Sequence, residues 1–536
     1  MTRLMSERLT RTLTDFHKDV KQVISDEYNL DPEKIGKFDL LSFQNYLDER
    51  LEEADQLSFH APLEESLPFA RGILAKWCFQ QVLDFKSICS ECIDDLSNEF
   101  ARLMLEPSER SAWVEYWRLV SPRRKVSSVL VYNPSIRFPS LADMVGDRGF
   151  KTIIHELCML SKNDISLSLD DYLAFLRDRI RRFSLPLNST ELKIVRKLVI
   201  EGDFSHERLA KDLGISSQWL SRRLTALKKR NILRRFDRAP FSRIGIRMYH
   251  FYVRNIDAVD DPYKLLSKCP FLYTYQSVLT GLWTAYAVFC VPDNHQSIRT
   301  LSVAQTAFEK WGFSTMLVEV ASSGFSYSFD FYDCEAGEWR MPWEILAVEL
   351  TRVLNNRLAD IIPRVDHPAN RTSLSLDQLD MSIIEQVYRG NTSIQGIRSA
   401  LRVGQQRVND RMRRLRKDGI IATKWEAHNI GLYENIVIVC DDLDVGEAVA
   451  AWARRVPEAI VSFDLNRRLS LLVRLPCGGS YGLAQSIGQV TDAASIGLLG
   501  PRIYGAWGLP IDLWDANVQK WLSPTAQVNQ WLDSLR

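Results

Sequence analysis

The sequence predicts an α+β fold. A helical N-terminal domain precedes two tandem units, each joining a winged helix to a ferredoxin-like (βαββαβ) domain. Three observations lead to this prediction. Apolar residues recur at helical spacing through most of residues 1–185, two basic segments of similar sequence follow, and each of them precedes an alternation of strand and helix patterns. A length of 536 residues suits about three or four domains.

The composition excludes several classes of protein. With 46% hydrophobic and 25% charged residues, 25 Gly and 20 Pro, the chain is globular rather than disordered or collagen-like. No run of 18 apolar residues is present, so no membrane-spanning helix and no membrane partner are expected. The N-terminus shows no secretory signal. Nine irregularly spaced cysteines indicate reduced thiols, and a cytoplasmic location is expected.

Residues 1–185 are expected to form the helical domain. The apolar spacing predicts helices over 3–28, 39–55, 67–105 and 150–160, with one β-like stretch at 126–132. The domain holds 25 basic and 30 acidic residues, hence a net charge of −5. Four of its side chains have the chemistry of zinc ligands, and whether they bind zinc stays open: Cys89, Cys92, His155 and Cys158.

The two basic segments are copies of one another. Residues 188–246 hold 14 basic and 6 acidic residues (net +8), and residues 377–432 hold 10 and 6 (net +4), in a chain whose net charge is +1. An offset of 188 aligns residues 213–233 with 401–421, and six of these 21 positions are identical. The period is too long for a solenoid and indicates a tandem duplication.

The first copy shows a helix-turn-helix pattern followed by a wing. Helices are predicted at 192–199, 206–213 and 216–229, with Gly214 in the turn. Strands at 232–236 and 241–246 are expected to form the wing. On the third helix the leucines fall on one stripe, so polar side chains face outward, where they can reach bases and phosphates in a major groove. The candidate DNA-binding residues of this copy are Ser217, Gln218, Ser221, Arg222, Thr225, Lys228, Lys229, Arg234, Arg235 and Arg238.

The second copy repeats this pattern with less positive charge. Asp410 lies on its outward face, where copy one has Arg222, and its wing holds fewer basic residues. We therefore expect the second head to bind DNA more weakly. Its candidate residues are Gln405, Gln406, Asn409, Arg413 and Lys417.

A βαββαβ pattern follows each head. In copy one, strands are predicted at 248–253, 272–279, 284–291 and 315–321, with helices at 262–267 and 296–311. In copy two, strands are predicted at 435–439, 459–465, 469–475 and near 502–504, with helices at 445–455 and 481–489. The predicted domain boundaries are 1–185 (helical domain), 186–246 (first winged helix-turn-helix), 247–332 (first ferredoxin-like domain), 333–376 (connecting helix and linker), 377–432 (second winged helix-turn-helix), 433–510 (second ferredoxin-like domain) and 511–536 (tail).

The order of elements, with Ile244-Gly245-Ile246 and Ile430-Gly431-Leu432 closing the wings, resembles the Lrp/AsnC family of prokaryotic transcription regulators. The resemblance covers residues 188–321 and 377–505. It implies DNA binding through the third helix of each head and assembly through the βαββαβ domains, sometimes with an amino acid as effector. The family often has Gly and an acidic residue in the hairpin after the second strand. Gly281 is present here and the acidic residue is absent.

The predicted function is therefore a sequence-specific, double-stranded-DNA-binding transcription regulator with two unequal heads. The two βαββαβ domains are expected to pair as an intrachain pseudo-dimer, and a homo-oligomer and a small-molecule effector stay possible partners. The sequence contains no phosphate-binding loop and no His-Glu-x-x-His motif, so neither an enzyme nor a cofactor is expected. The alternatives left open are an architectural DNA-binding protein without sequence preference and an RNA-binding winged helix.

Overall fold

The chain divides into two compact units, Met1–Leu185 with Leu224–Ile232, and Pro186–Arg223 with Leu233–Arg536. The predicted α+β class is confirmed. The β-like stretch at 126–132 lies outside the described residues. The computed structural model describes residues 7–36, 39, 41–43, 45–47, 49, 66–83, 90–106, 109–110, 113, 116, 141–183, 186–202, 205–258, 261–356, 375–388, 393–500, 503–504, 509, 511–523 and 525–534.

The first unit is helical, as its apolar spacing predicts. A single apolar core joins its helices, and stacked rings of Phe79 and Phe100, 4.0 Å apart, lie within it. Glu99 is buried there because it accepts hydrogen bonds from the Arg102 guanidinium and the Ala142 amide, each at 3.0 Å. The helices are α1 (Glu7–Tyr28), α2 (Ser66–Val82), α3 (Ser90–Met104), α4 (Leu141–Lys162) and α5 (Leu169–Phe183).

The second unit holds the two heads and two sheets. Its first half contains α6 (Ser189–Arg196), α7 (His206–Leu213), α8 (Ser217–Lys229), β1 (Leu233–Arg238), β2 (Ile246–Asn255), α9 (Pro262–Leu266), β3 (Leu272–Ser277), β4 (Ala285–Pro292), α10 (His295–Lys310), β5 (Phe313–Glu319), β6 (Ser322–Tyr327), β7 (Tyr332–Asp333), β8 (Glu338–Trp339) and α11 (Trp343–Asn356). The second half of α8 is grouped with the first unit.

The second half of the chain repeats this order. It contains α12 (Gln378–Tyr388), α13 (Ile394–Leu401), α14 (Gln405–Lys417), β9 (Ala422–Ala427), β10 (Glu434–Cys440), α15 (Leu443–Trp452), β11 (Glu458–Phe463), β12 (Leu469–Leu475), α16 (Gly479–Gly488), β13 (Ala494–Leu499), β14 (Ile503–Tyr504), β15 (Trp514–Asp515), β16 (Lys520–Trp521) and α17 (Thr525–Ser534). The last strand of the second βαββαβ unit is β13, not the segment predicted near 502–504. The Ser and Gly in β13 weaken its strand pattern in the sequence.

The two halves exchange strands. One sheet has the order β14-β3-β4-β2-β5 and the other β13-β10-β12-β11-β6, all of them antiparallel pairs. Strand β6 follows β5 in the first half yet pairs with β11 of the second, and β14 follows β13 yet pairs with β3 of the first. Each half therefore supplies the fifth strand of the other half's sheet.

Helices cover one face of each sheet, and the other faces meet. Helices α9, α10 and α17 pack on the first sheet, and α11, α15 and α16 pack on the second. Between the sheets, Tyr252 and Val288 of the first contact Val437 and Val439 of the second in one apolar cluster. Apolar residues buried on both sides of each central strand account for the continuous hydrophobic runs in the sequence.

A buried polar contact crosses this interface. The His250 Nδ1 lies 2.7 Å from the Ser470 Oγ, and the Tyr252 hydroxyl also hydrogen-bonds that Oγ. All three side chains are almost fully buried. Burial lowers the pKa of His250 to about 4, so its ring is neutral at pH 7.

Two tryptophans, one near the end of each half of the chain, hold that end against the other half. The Trp339 indole donates to the Ile430 carbonyl, and a Cβ on Gly431 would lie 3.2 Å from its ring. In the same way, the Trp521 indole donates to the Ile244 carbonyl and packs against Gly245. Both glycines have positive φ, +71° at Gly245 and +86° at Gly431, so each Ile-Gly pair combines a left-handed turn with a close indole contact.

We expect Trp339→Phe and Trp521→Phe each to lower the free energy of unfolding by about 1–3 kcal/mol, because each leaves a buried carbonyl without its donor. Urea unfolding measures the effect. Trp311→Phe, at a side chain 37% exposed, is the matched control and should change little. A larger loss at Trp311 than at the two anchors would contradict this account.

The predicted wings are wrong in one respect. Residues 241–244 form a 3-10 helix with Phe241 and Ile244 buried, so no return strand follows β1. Instead β1 pairs antiparallel with β9, from Leu233 opposite Ala427 to Arg238 opposite Ala422. The two wing strands thus form one two-stranded ribbon between the heads.

Candidate nucleic-acid interface

The first head has the predicted helix-turn-helix. The Ser205 side chain caps α7, and α7 ends at Gly214 with φ +67°. Ser216 then accepts from the Trp219 amide at 3.2 Å, which starts α8. The turn between the two helices is three residues long (214–216), as a helix-turn-helix requires.

The outward face of α8 is as the sequence predicts. Leu220, Leu224 and Leu227 are buried. Seven of the ten candidate residues of the first copy lie on this helix, and all seven are exposed: Ser217, Gln218, Ser221, Arg222, Thr225, Lys228 and Lys229.

Two cations on α8 have no partner among the residues that the structure describes. Arg222 and Lys229 make no ion pair and no hydrogen bond there, while the neighbouring Arg223 lies 3.7 Å from Glu191 and over the Trp219 ring. An exposed cation without a carboxylate is available to a phosphate.

The wing arginines of the first copy differ from the prediction. Arg235 is exposed, Arg238 is half-buried and Arg234 is only 4% exposed. Because β1 is paired with β9 rather than projecting as a hairpin, both Arg234 and Arg238 lie on the ribbon. The predicted phosphate contact of Arg234 is therefore wrong, because its side chain is buried, and that of Arg238 stays a prediction.

In the second head, Gln405, Gln406, Arg413 and Lys417 are exposed and Asn409 is half-buried. Several of its polar groups bind acidic side chains of the same chain. The Gln406 amide donates to Asp410 at 3.2 Å, and Arg413 lies 3.8 Å from that carboxylate.

Three further arginines of α14 are also engaged. Arg411 and Arg414 donate to the fully buried Asp380 of α12, and Arg416 donates to Asp237 of β1 at 2.8 Å. The sequence does not indicate these pairs, because their members lie 31 to 179 residues apart. They leave the second head with less positive charge available than its count of arginines suggests.

The structure describes the side chains of only two of the four candidate zinc ligands, His155 and Cys158. Cys89 lies outside the described residues, as does the Cys92 side chain. His155 is exposed, and burial raises the pKa of Cys158 to about 11. No group of three or more His, Cys, Asp or Glu residues able to hold a metal ion occurs in the described part of the chain. None of the helices described has both the length and the apolar character to span a bilayer.

Comparison with solved structures gives distant similarities. The chain is 13% identical to the siroheme decarboxylase NirDL over 64% of this chain and 97% of that one, with a TM-score of 0.34. The same decarboxylase in complex with an iron-uroporphyrin III analogue gives 12% identity, coverage of 65% and 98%, and a TM-score of 0.34. The crystal structure of PH0061 gives 16% identity over 26% of this chain and 94% of that one, with a TM-score of 0.21.

No family model matches the chain, and no curated protein matches it. The resemblance to Lrp/AsnC transcription regulators is wrong as an assignment of family: the solved structures to which the chain is similar include a siroheme decarboxylase, and they give no direct support for a DNA-binding regulator. What stands is the α+β architecture with its two helix-turn-helix heads.

Proposed function

We propose that the protein binds double-stranded DNA in a sequence-selective way, mainly through α8 of the first head, and that it regulates transcription by binding rather than by catalysis. The observation that supports this most directly is the exposed face of α8. Its leading end presents Ser217 and Gln218, and Arg222 and Lys229 lie farther along without ion pairs among the described residues. Gln can bond adenine edges, and the cations can bind phosphates.

The contacts within the second head support the proposal that it contributes less to DNA affinity than the first head does. Asp410 occupies two of its outward polar groups, and Asp380 and Asp237 hold three of its arginines. Moving any of these arginines to a phosphate would remove one of the hydrogen-bond partners of a buried carboxylate, which costs free energy. The second head is therefore expected to add affinity without dominating it.

The ribbon fixes the two heads relative to each other from β1 onward. Six register pairs join β1 to β9, and Asp237 binds both Arg416 and Thr423 across it. A DNA site read by both heads would therefore have a fixed spacing between its two parts.

The contact between Ser470 and His250 does not by itself point to a catalytic pair. Ser470 and His250 have the pairing that a nucleophile and its base would need, but they are 1% and 3% exposed between the two sheets. A substrate would have to separate the sheets to reach them.

The test compares two double variants on DNA sites selected by the full-length protein from a random pool. Replacing Arg222 and Lys229 by Ala should weaken binding by about 10- to 100-fold and reduce the slope of log K against log salt by about 1.8, since each phosphate contact contributes about 0.9. Replacing Arg413 and Lys417 should cost less. Fluorescence anisotropy over a salt series measures both, and a greater loss from the second pair would contradict the proposal.

A second arm separates the alternatives. Gln218→Ala should reduce the preference for selected over random DNA, because it removes a base contact and no charge. Equal affinity of the native protein for selected and random duplexes would indicate an architectural protein instead. Stronger binding to duplex RNA of the same sequence would indicate an RNA-binding winged helix.

A further inference from the structure

One face of the β1–β9 ribbon carries an excess of positive charge. In the antiparallel register Arg234 lies opposite Glu426, and Arg238 lies opposite Ala422. Alternate residues share a face, so Arg234, Arg238, Lys424 and Glu426 lie on the same one. It carries three cations against one carboxylate.

Aromatic side chains surround Arg238 at one end of this face. Its guanidinium lies over the Phe241 ring at 5.7 Å. Phe241 in turn stacks on Tyr388 at 5.7 Å and meets the edge of Tyr273 at 5.8 Å. The Tyr388 hydroxyl donates to the Ala239 carbonyl, which holds its ring in place. The result is a rigid aromatic wall beside a half-buried cation.

Arg238 and Lys424 both interact electrostatically with one carboxylate on this face, that of Glu426. Neither makes an ion pair or a hydrogen bond within the described part of the chain. The carboxylate on their face, Glu426, lies 3.3 Å from His428. Burial and the nearby Arg238 charge lower the pKa of Lys424, and the Glu426 carboxylate opposes this only in part.

Other cations around the ribbon are paired. Arg474 binds Glu458 at 2.9 Å, and Arg416 binds Asp237 at 2.8 Å. A partly buried arginine usually has a carboxylate or another anion beside it, because desolvation without one is costly. Among the described residues, Arg238 and Lys424 share a single carboxylate, that of Glu426.

We propose that Arg238 and Lys424 bind the carboxylate or phosphate group of a small organic anion, whose body packs against the half-buried rings of Tyr273 and Tyr388. The two cations occupy diagonal positions of an antiparallel pair, about 7–8 Å apart at the backbone, so both long side chains can reach one oxyanion. The guanidinium can bind it through two parallel hydrogen bonds. Lys424 is exposed, which leaves that end of the site open to solvent.

The site lies between the two heads. Strand β1 follows α8 after three residues, and β9 follows α14 after four. A bound anion would therefore link the two wing strands directly. The proposal does not depend on DNA binding, since its geometry involves neither outward helix face.

Thermal unfolding of the full-length protein tests the proposal, with sodium phosphate and sodium benzoate as separate probes against sodium chloride at matched ionic strength. We expect a saturable rise in melting temperature with at least one probe. A response to phosphate alone indicates a phosphorylated ligand, and one to benzoate alone a carboxylate. No saturable rise with either probe overturns the proposal.

Three variants locate the effect. Arg238→Gln and Lys424→Gln should each weaken the apparent dissociation constant at least tenfold, and Arg238→Lys should give a smaller loss because it keeps the charge. Arg235→Gln, on the opposite face of the same strand, is the control and should stay within twofold. Circular dichroism confirms that each variant folds. Equal responses in all four variants and the native protein would mean binding elsewhere and would overturn the assignment.

Discussion

Replacing Gly281 by alanine is expected to lower the free energy of unfolding by about 3 kcal/mol or more, through positive-φ strain and overpacking together. Gly281 has φ +100°, and a Cβ built on it would lie on the carbonyl oxygen of Ile496. That oxygen belongs to the backbone of β13, in the other half of the chain, so it cannot turn aside as a flexible side chain would.

The neighbouring contacts show why the hairpin cannot shift to relieve the clash. The Leu279 amide donates to the Leu498 carbonyl at 2.7 Å, and the Leu498 amide donates to the Thr280 hydroxyl at 3.2 Å. The hairpin after β3 is thus bonded to the edge strand of the second sheet through the two residues that precede Gly281. Moving it would break hydrogen bonds that join the two halves.

Urea unfolding of Gly281→Ala beside Gly214→Ala measures this effect. Gly214 also has positive φ, at +67°, but a Cβ there would meet nothing within 4 Å. The control should therefore cost only the backbone strain, about 1 kcal/mol. Equal losses in the two variants would show that the hairpin is not held against β13 as tightly as these contacts indicate.

The same hairpin bears on the expected effector. The sequence places Gly281 where the resemblance implies a nearby effector, and the structure packs that glycine against β13. An effector at the ferredoxin-like domains stays a prediction, as do the intrachain pseudo-dimer and any homo-oligomer. The contacts between the sheets and the exchanged strands β6 and β14 support the pseudo-dimer, and only binding and association measurements test it.

Local patterns in the sequence correctly predicted the structural features that depend on residues close together along the chain. The leucine stripe of α8 lies three and four residues apart, so helical periodicity alone places Leu220, Leu224 and Leu227 inward and Arg222 outward. Gly214 at the turn follows from the same local argument. The ion pairs of α14 were not predictable in this way, because Asp380 is far from Arg411 and Arg414 in sequence.

The wing was mispredicted for a related reason. A strand of residues 233–238 looks the same in the sequence whether it folds back on its own chain segment or pairs with a distant strand. The alternation of side chains in this segment indicates only that one face of the strand is more buried than the other. The pairing with β9 depends on the meeting of two heads that 188 residues separate, and no local signal carries that information.

One signal of the exchange was present in the sequence. Tyr332-Asp333 and Trp514-Asp515 are each followed, six residues after the Asp, by Trp339 or Trp521. Both Asp side chains cap a turn by accepting backbone amides, from Glu335 and Ala336 and from Asn517 and Val518. If the alignment of the two copies is continued past the βαββαβ domains, the connecting segment with Trp339 and the C-terminal tail with Trp521 are found to be equivalent.

Acidification from pH 8 to pH 5 is expected to destabilise the second unit by about 2 kcal/mol for each of two buried histidines. Burial lowers the pKa of His250 to about 4, and burial with the Arg234 charge lowers that of His428 to about 4. An unfolded histidine titrates near 6.5, so the unfolded state binds protons that the folded state does not. Stability is therefore complete above about pH 6.5 and falls as the pH drops toward 4.

Urea unfolding of the native protein and of His250→Gln at pH 8 and pH 5 isolates one of these contributions. Glutamine keeps a hydrogen-bonding group near the Ser470 Oγ and does not titrate, so the variant is expected to be less stable at pH 8 yet to lose about 2 kcal/mol less on acidification. His155→Gln, at an exposed position, is the control and should leave the pH dependence of stability unchanged. If His250→Gln loses as much unfolding free energy between pH 8 and pH 5 as the native protein does, His250 is protonated in the folded state at pH 5. The two sheets would then be held together despite a buried charge rather than by a neutral hydrogen-bonded pair.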